Sequence, residues 1–163
     1  MTDAYSTQKI AVMLAGPGHE VVYYQMQPPL LADQRFMISG HAAQWSMFET
    51  NLNNLRPDLV IVQTDIAPDP DTLIRALQKI SVWSGIAIVV LPLAHKDFQG
   101  AFGKVDTVRG IFVAPVNWTE IVQAAYGAAI TARAKLNQAA PMQQNVSGFS
   151  PGGASAYITG TKR

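Results

Sequence analysis

The sequence predicts an α/β domain in which a five-stranded, parallel, doubly wound sheet is covered by helices on both faces. Two patterns lead to this prediction. Short runs of strand-forming residues are apolar on both faces, as in buried parallel sheets, and helical patterns alternate with these runs along the chain. With 163 residues, of which 48% are hydrophobic, the chain can build one domain with a substantial core and a tail.

Five runs of residues predict the strands. All are short and bounded by turn residues, and we place them at residues 9–15, 35–39, 58–62, 86–91 and 110–114. The first run is followed by Gly16-Pro17-Gly18. We interpret these residues as a turn, because the pattern is too short for a dinucleotide-binding loop and the proline lacks the backbone donor that a phosphate cradle uses.

Helical patterns separate the predicted strands. One helix is predicted from apolar residues at steps of three and four, namely Trp45, Phe48, Leu52 and Leu55. Another begins at Asp69-Pro70, an acidic cap followed by proline at the first helical position. The last begins at Asn117, with Glu120 in the capping-box position, and runs to about Leu136. Two less regular segments, 19–26 and 95–104, are also expected to be helical.

Five alternating units favour the flavodoxin-like strand order 2-1-3-4-5. We expect the folded domain to cover residues 8–136. Residues 1–7 are polar and are expected to be disordered, whereas residues 137–163 are rich in Gln, Ala, Pro, Ser and Gly, as in a flexible linker.

Composition excludes several classes of protein. The net charge is +1 without a basic stripe, so we expect no nucleic-acid partner. There is no cysteine, and therefore neither a disulfide nor a thiolate metal site. No apolar run approaches the ~20 residues of a membrane span, so we expect a cytoplasmic protein that does not insert into membranes.

Three segments resemble the receiver domains of response regulators, the CheY-like family. They are residues 38–43, residues 55–62 with the sequence Leu-Arg-Pro-Asp-Leu-Val-Ile-Val, and residues 111–116, which resemble the last strand and its Lys-Pro turn. The resemblance covers about residues 8–136. It implies a site with an acidic pair that binds Mg²⁺, an aspartate nucleophile, a hydroxyl residue and a lysine at successive strand ends.

The sequence departs from the family pattern at each of these strand ends. Gly16 and Pro17 stand where the acidic pair is expected, Gln63 at the phosphoacceptor, Leu91 at the hydroxyl residue and Ala114 at the lysine. A carboxylate that attacks a phosphate dianion needs cations beside it to offset the repulsion. We therefore predict a domain without catalytic residues that is not phosphorylated. In the alternative, Asp65 is the phosphoacceptor.

Degenerate receivers of this kind resemble the N-terminal domain of CpaE/TadZ-like pilus-assembly proteins, in which an atypical receiver precedes an ATPase domain. The resemblance implies a localisation or regulatory module that works by binding proteins. It also implies that residues 137–163 lead to an ATPase domain that this sequence does not contain.

No metal site or cofactor is predicted. The three histidines, His19, His41 and His95, are far apart and are interpreted as isolated surface residues. Asp65, Asp69 and Asp71 lie close together and could attract a cation, but helix capping explains Asp69, and the helix dipole explains Asp71.

Receivers commonly associate through the face formed by helix 4, strand 5 and helix 5, as the resemblance implies. Apolar side chains left exposed there would form an interface for self-association. The interface candidates are Phe98, Phe102, Trp118, Ile121 and Tyr126.

The leading hypothesis is a protein-interaction module that is independent of phosphorylation. A phosphorylatable response regulator using Asp65 and a small-molecule binder at the carboxyl edge of the sheet remain as alternatives.

Overall fold

The structure, a computed structural model, describes the backbone of residues 8–145 and the side chains of residues 8–136. The N-terminus predicted to be disordered, 1–7, and the tail from residue 146 onward lie outside the described residues. The contacts between Cα atoms divide the chain into two units, Met1–Ala129 and Ile130–Arg163. The first unit contains the whole sheet.

The sheet has five parallel strands in the order β2-β1-β3-β4-β5, which confirms the predicted fold class. The strands are β1 (Ile10–Ala15), β2 (Phe36–Ala42), β3 (Leu59–Gln63), β4 (Ile86–Leu91) and β5 (Val108–Val113). β1, β3 and β4 are buried almost throughout, because they lie in the middle of the sheet and are covered on both faces. β2 and β5 are the edge strands, and most of their residues are partly exposed.

The second strand is longer than predicted and continues through Gly40 and His41. Polar residues in this stretch hid the strand pattern, since an edge strand tolerates partial exposure. Gly40 allows the helix after the strand to pack closely, because a Cβ atom there would come within 2.4 Å of the Cδ1 atom of Leu55. The register between β1 and β2 shifts between Val12 and Met13.

In the described part of the chain, five main helical segments connect or follow the strands, and the short 3-10 turn Thr64–Ile66 directly follows β3. The five segments are α1 (π-helical Glu20–Met26 followed by α-helical Gln27–Leu31), α2 (Trp45–Leu55), α3 (Pro70–Gln78, extended by a 3-10 turn), α4 (3-10 turns Leu93–Phe98 followed by Gln99–Gly103) and α5 (Trp118–Asn145). Pro28 lies in the first turn of the second part of α1, where a missing N–H is not needed by the helix.

The predicted helix starts are confirmed. Asp69 caps α3 by accepting a hydrogen bond from the backbone N–H of Thr72 at 2.8 Å. Asn117 caps α5 by accepting from the backbone N–H of Thr119 at 2.9 Å. These side chains satisfy donors that the first turn of a helix leaves unpaired.

The last helix ends later than predicted. α5 continues past residue 136 to Asn145, so the predicted start of the linker at 137 lies within the helix. The added residues include alanine, glutamine and methionine, which have high helix propensities. Within the described part of the chain, no helix combines the length and the hydropathy needed to cross a membrane.

Candidate functional site: the carboxyl edge of the sheet

The register of the sheet brings four strand ends to one edge. Ala15 of β1 is paired with Val62 of β3, so Gly16 and Gln63 follow at neighbouring positions. On the other side, Gln63 is paired with Val90, and Leu91 is paired with Val113, which precedes Ala114. The carboxyl edge of a doubly wound sheet is where this fold class binds ligands and performs chemistry.

Gly16 is buried at the end of β1, and its position has no room for a side chain. A Cβ atom there would lie 2.7 Å from the Cγ1 atom of Val21 and 3.4 Å from the sulfur of Met26. Its backbone N–H donates to the carbonyl of Ala42 at 3.0 Å, which ties the turn to β2. Because the first helix packs directly on Gly16, a carboxylate cannot occupy this strand end without displacing that helix.

The end of β3 carries a neutral amide beside an exposed carboxylate. The Nε2 atom of Gln63 donates to the Oδ1 atom of Asp65 at 3.0 Å. Asp65 lies in the 3-10 turn Thr64–Ile66 and is exposed. Within residues 8–136, Asp65 has no ion-pair partner. Its carboxylate accepts a hydrogen bond from an uncharged amide instead.

The ends of β4 and β5 are apolar. Leu91 is completely buried. The backbone N–H of Ala114 donates to the carbonyl oxygen of Leu91 at 2.8 Å, which holds the two strand ends together, and the peptide bond from Ala114 to Pro115 is cis. These two positions therefore offer neither a hydroxyl nor an ammonium group to a phosphoryl oxygen.

The residues of this edge do not fit a Mg²⁺ ion. Mg²⁺ binds oxygen ligands in octahedral geometry and is usually held by one or two carboxylates. Gly16 and Pro17 offer no side-chain oxygen, and Asp65 stands alone at the strand end. No group of three or more histidine, aspartate or glutamate side chains in the described residues could hold a metal ion.

The structure does not bring the three histidines together, but two of them share one aromatic stack. The ring of Tyr23 lies 5.6 Å from that of His19 and 4.8 Å from that of His41. His41 is half-buried, and burial lowers the pKa of its imidazole. The ring of His95 lies elsewhere, 5.2 Å from that of Phe98. The prediction of surface positions holds for His19, which is exposed, and less well for His41, which is half-buried. Neither histidine is isolated, because the ring of Tyr23 lies beside both.

The interface candidates separate into buried and accessible side chains. Phe102 and Ile121 are completely buried and cannot contact a partner in this conformation. Phe102 on α4 and Ile121 on α5 are core positions, so including them among the interface residues was wrong. Tyr126 packs edge-on against Phe36 and lies under the guanidinium of Arg35. Its ring is therefore already engaged within the domain.

Two candidates remain accessible, one on α4 and one on α5. Phe98 and Trp118 are half-buried, and neighbouring Leu93, which the sequence analysis did not select, is 60% exposed. Among the described residues, no strand pairs with the outer side of β5. Together, α4, β5 and α5 therefore combine apolar side chains with an open strand edge.

A further group was missed by the sequence analysis. Thr64, His95 and Phe98 line one cavity beside the strand end of β3. Thr64 lies about thirty positions before the other two, and no motif links them, so only the packing of α4 against the β3–α3 connection reveals the group.

Comparison with solved structures shows the fold. The receiver domain of an HD domain-containing protein from Pseudomonas fluorescens Pf-5 aligns with a TM-score of 0.65 and 16% identity, over 78% of this chain and 99% of that one. The receiver domain of AraT, a response regulator from Geobacillus stearothermophilus, aligns with a TM-score of 0.61 and 13% identity, over 80% and 98%.

RcsB is a third structural neighbour. RcsB from Salmonella enterica serovar Typhimurium, bound to promoter rprA, aligns with a TM-score of 0.63 and 17% identity, over 85% of this chain and 70% of that one. An RcsB chain from the structure of two RcsB dimers bound to two parallel DNAs aligns with a TM-score of 0.62 and 20% identity. The alignment covers 76% of this chain and 61% of that one.

The chain therefore has the receiver fold of response regulators. No family model matches the sequence, and no curated protein matches it.

Proposed function

We propose that this domain is a pseudo-receiver, which binds protein partners without being phosphorylated and without catalysing a reaction. The observation that carries the proposal is the composition of the carboxyl edge. Gly16, Gln63, Leu91 and Ala114 occupy the four strand ends, where phosphoryl transfer to a carboxylate would need acidic metal ligands, a nucleophile, a hydroxyl and an ammonium group.

The reason is electrostatic. Phosphoryl transfer enzymes depend on positioning and on charge stabilisation, since the phosphate carries negative charge toward a negative nucleophile. At this edge, Asp65 is accompanied by the neutral amide of Gln63 and by apolar neighbours at the adjacent strand ends. A phosphoryl group on Asp65 would face these groups without a metal ion or lysine.

Intact-mass spectrometry after incubation with acetyl phosphate and Mg²⁺ tests this proposal. We expect no phosphoryl adduct on the unaltered chain. The matched control is Asp65→Asn, which removes the exposed carboxylate and keeps its size. An adduct that forms on the unaltered chain and disappears in this variant would contradict the proposal and favour a response regulator that uses Asp65.

The partner surface that we propose is the face formed by α4, β5 and α5, and the first partner is a second copy of the chain. Support comes from the exposed Leu93, the half-buried Phe98 and Trp118, and the open edge of β5. Burying apolar side chains at the centre of a contact is the main source of association free energy.

Sedimentation velocity on charge variants tests this surface. Leu93→Glu places a carboxylate on the proposed contact and is expected to weaken self-association at least tenfold. Met47→Glu is the matched control, because Met47 is 46% exposed on α2. Equal association constants for the two variants, or a monomeric unaltered chain at all concentrations, would contradict the proposed surface.

At the level of the larger assembly, we propose a localisation module of a CpaE/TadZ-like pilus-assembly ATPase. The support is the resemblance of degenerate receivers of this kind to the N-terminal domain of those proteins, together with Gly16, Gln63, Leu91 and Ala114 at the strand ends. The gene sequence downstream of residue 163 tests this assignment. A deviant phosphate-binding loop there is expected, whereas a helix-turn-helix would contradict it.

A further inference from the structure

A patch of cationic and apolar side chains lies at the amino edge of the sheet, opposite the strand ends described above. The amino-edge patch consists of Arg56, Lys79, Val82 and Trp83. Arg56 follows α2, and the other three belong to the 3-10 turn that extends α3. Leu59 of β3 is paired with Ile86 of β4, and Arg56 and Trp83 each lie three positions before these partners, so the two segments enter the sheet side by side.

The indole ring of Trp83 is fixed at the centre of this patch. Its Nε1–H donates to the carbonyl of Pro57 at 2.9 Å, and the guanidinium of Arg56 lies 5.8 Å from the ring centre. The ring itself is half-buried, whereas neighbouring Val82 is 79% exposed. Tryptophan and arginine are the residue types that most often dominate the free energy of protein contacts, so the patch suits a protein partner.

The backbone of Arg56 adds a second observation. Its φ of 44° and ψ of 59° lie in the left-handed region, at a position after the last helical residue where glycine is usual. An arginine there costs stability relative to glycine, because its Cβ atom crowds the backbone. Within residues 8–136 the side chain forms no ion pair, and its distance from Trp83 is close to the outer limit of about 6 Å for a cation–π contact. The guanidinium is therefore available to a carboxylate from outside the domain.

The charges of the patch favour an acidic partner. Lys79 is exposed and, like Arg56, forms no ion pair among the described side chains. The carboxylate nearest along the chain, that of Asp58, is engaged through its Oδ2 atom, which accepts from the backbone N–H of Ala11 at 2.9 Å. Two cations beside exposed apolar surface complement a segment that carries carboxylates and some apolar surface of its own.

The opposite edge of the same domain carries such a segment. Residues 63–71, which connect β3 to α3, contain no cation and one exposed proline, Pro68. Their three carboxylates are exposed and form no ion pair in the described part of the chain; they are Asp65, Asp69 and Asp71. Of the cations that follow in sequence, Arg75 lies one helical turn further along α3, and Lys96 of α4 is followed by Asp97, so neither reverses the sign of this acidic segment.

We propose that the amino-edge patch binds the acidic segment of a second copy of the chain. Arg56 and Lys79 pair with its carboxylates, and the ring of Pro68 packs against Trp83 and Val82. Because the two surfaces differ and lie at opposite edges of the sheet, the contact is head to tail and adds copies in a row instead of closing a pair. This inference goes beyond the proposed function, because it uses neither the α4–β5–α5 face nor a two-fold contact.

Sedimentation velocity over a range of protein concentrations tests the contact. All chains carry Leu93→Glu, which disrupts the contact proposed for the α4–β5–α5 face, so the two surfaces are tested separately. We expect the weight-average mass to rise with concentration past that of a dimer. It should fall when NaCl is raised from about 50 to about 500 mM, because salt screens exposed charges.

Two charge variants decide whether the named surfaces meet. Arg56→Glu turns a carboxylate toward the acidic segment, Asp71→Lys turns a cation toward the patch, and each should weaken self-association at least about tenfold. An equimolar mixture of the two should associate at least about tenfold more tightly than either alone, because the unaltered segment of one still meets the unaltered patch of the other.

Glu49→Lys is the matched control, since it makes the same charge change as Asp71→Lys on the exposed side of α2 and should leave self-association unchanged. If Asp71→Lys lost its folded spectrum, Asp65→Lys would reverse another charge of the same segment.

Four results would overturn the proposal. They are a chain that stays monomeric at millimolar concentration, association that salt does not weaken, equal association of Arg56→Glu and its parent chain, and a mixture that associates no better than its components. The last result would show that the patch has another occupant. None of these results bears on the phosphorylation test, which measures chemical modification and not association.

Discussion

Replacing Gly16 with alanine tests how tightly the first helix closes the end of β1. The added Cβ atom would come within 2.7 Å of the Cγ1 atom of Val21, a distance that real Cβ contacts essentially never show. Val21 is β-branched and short, so it cannot swing away as the end of a long side chain could. Relief requires a shift of α1 or of the turn at Gly16.

The expected cost is that of overpacking a well-packed site, about 1–3 kcal/mol. In a domain of this size, such a loss lowers the melting temperature by roughly 3–10 °C. Urea denaturation followed by circular dichroism measures the free energy of unfolding, and thermal melts measure the melting temperature.

Two further variants make the comparison specific. Gly100→Ala is the control, because Gly100 lies in a helical turn of α4 and a Cβ atom there meets nothing within 4 Å. This change should stabilise the chain slightly, by up to about 1 kcal/mol. Adding Val21→Ala to Gly16→Ala should recover part of the loss, with a coupling of about 0.5–3 kcal/mol. A Gly16→Ala variant as stable as the unaltered chain would show that position 16 has room for a side chain.

Three other predictions concern stability. Thr64→Val should leave stability unchanged or raise it by about 1 kcal/mol, because it removes an unpaired hydroxyl. Thr107→Val should lower stability by about 0.5–1.5 kcal/mol, because it removes the hydrogen bond from the hydroxyl to the carbonyl of Leu77. Urea melts that gave the opposite order would contradict the two hydrogen-bond assignments. Asp69→Ala should lower the melting temperature of the chain by a few degrees more than Asp71→Ala, since only Asp69 caps α3; equal melting temperatures would argue against the cap. Burial lowers the pKa of the His41 imidazole from its ordinary value of 6.5, so on acidification the unfolded chain binds the proton before the folded chain does. The free energy of unfolding should therefore fall as the pH drops below about 6.5. Between pH 7.5 and 5.5, His41→Phe should lose less melting temperature than the unaltered chain, and an equal loss would show that His41 is not its source.

The fold was predictable because the central strands leave a clear chemical signature. A strand that is covered on both faces must be apolar at every position, and β4 is therefore recognisable in the sequence with its exact bounds, Ile86–Leu91. Helix starts were predictable for a similar reason, since Asp69 and Asn117 act within one turn of their own positions. Both signals are local.

The bounds of the edge strand β2 and the end of the last helix were less predictable from the sequence. β2 contains Ser39, Gly40 and His41, which a partly exposed edge strand accepts but a search for apolar runs does not detect. The last helix passes through Pro141, a residue that usually marks a helix end, and continues to Asn145. Helical spacing identified Phe102 and Ile121 as apolar positions but did not reveal that the core covers them.

The candidate site likewise has one part that the sequence predicts and one part that it does not. The strand ends Gly16, Gln63, Leu91 and Ala114 could be located from strand positions alone, because the carboxyl ends of parallel strands meet at one edge of the sheet. The cavity beside the end of β3 could not be predicted, since Thr64, His95 and Phe98 meet only after α4 packs against the β3–α3 connection. Sequence spacing carries no information about that contact.

We propose above that the carboxyl edge of this receiver fold lacks a phosphorylation site. Amide spectra of the ¹⁵N-labelled chain, recorded with increasing Mg²⁺ and then with the phosphomimetic beryllofluoride, test it most directly. We expect no saturable shifts at Gly16, Asp65 or Ala114. Saturable shifts of these three amides that require Mg²⁺ and vanish in Asp65→Asn would contradict it.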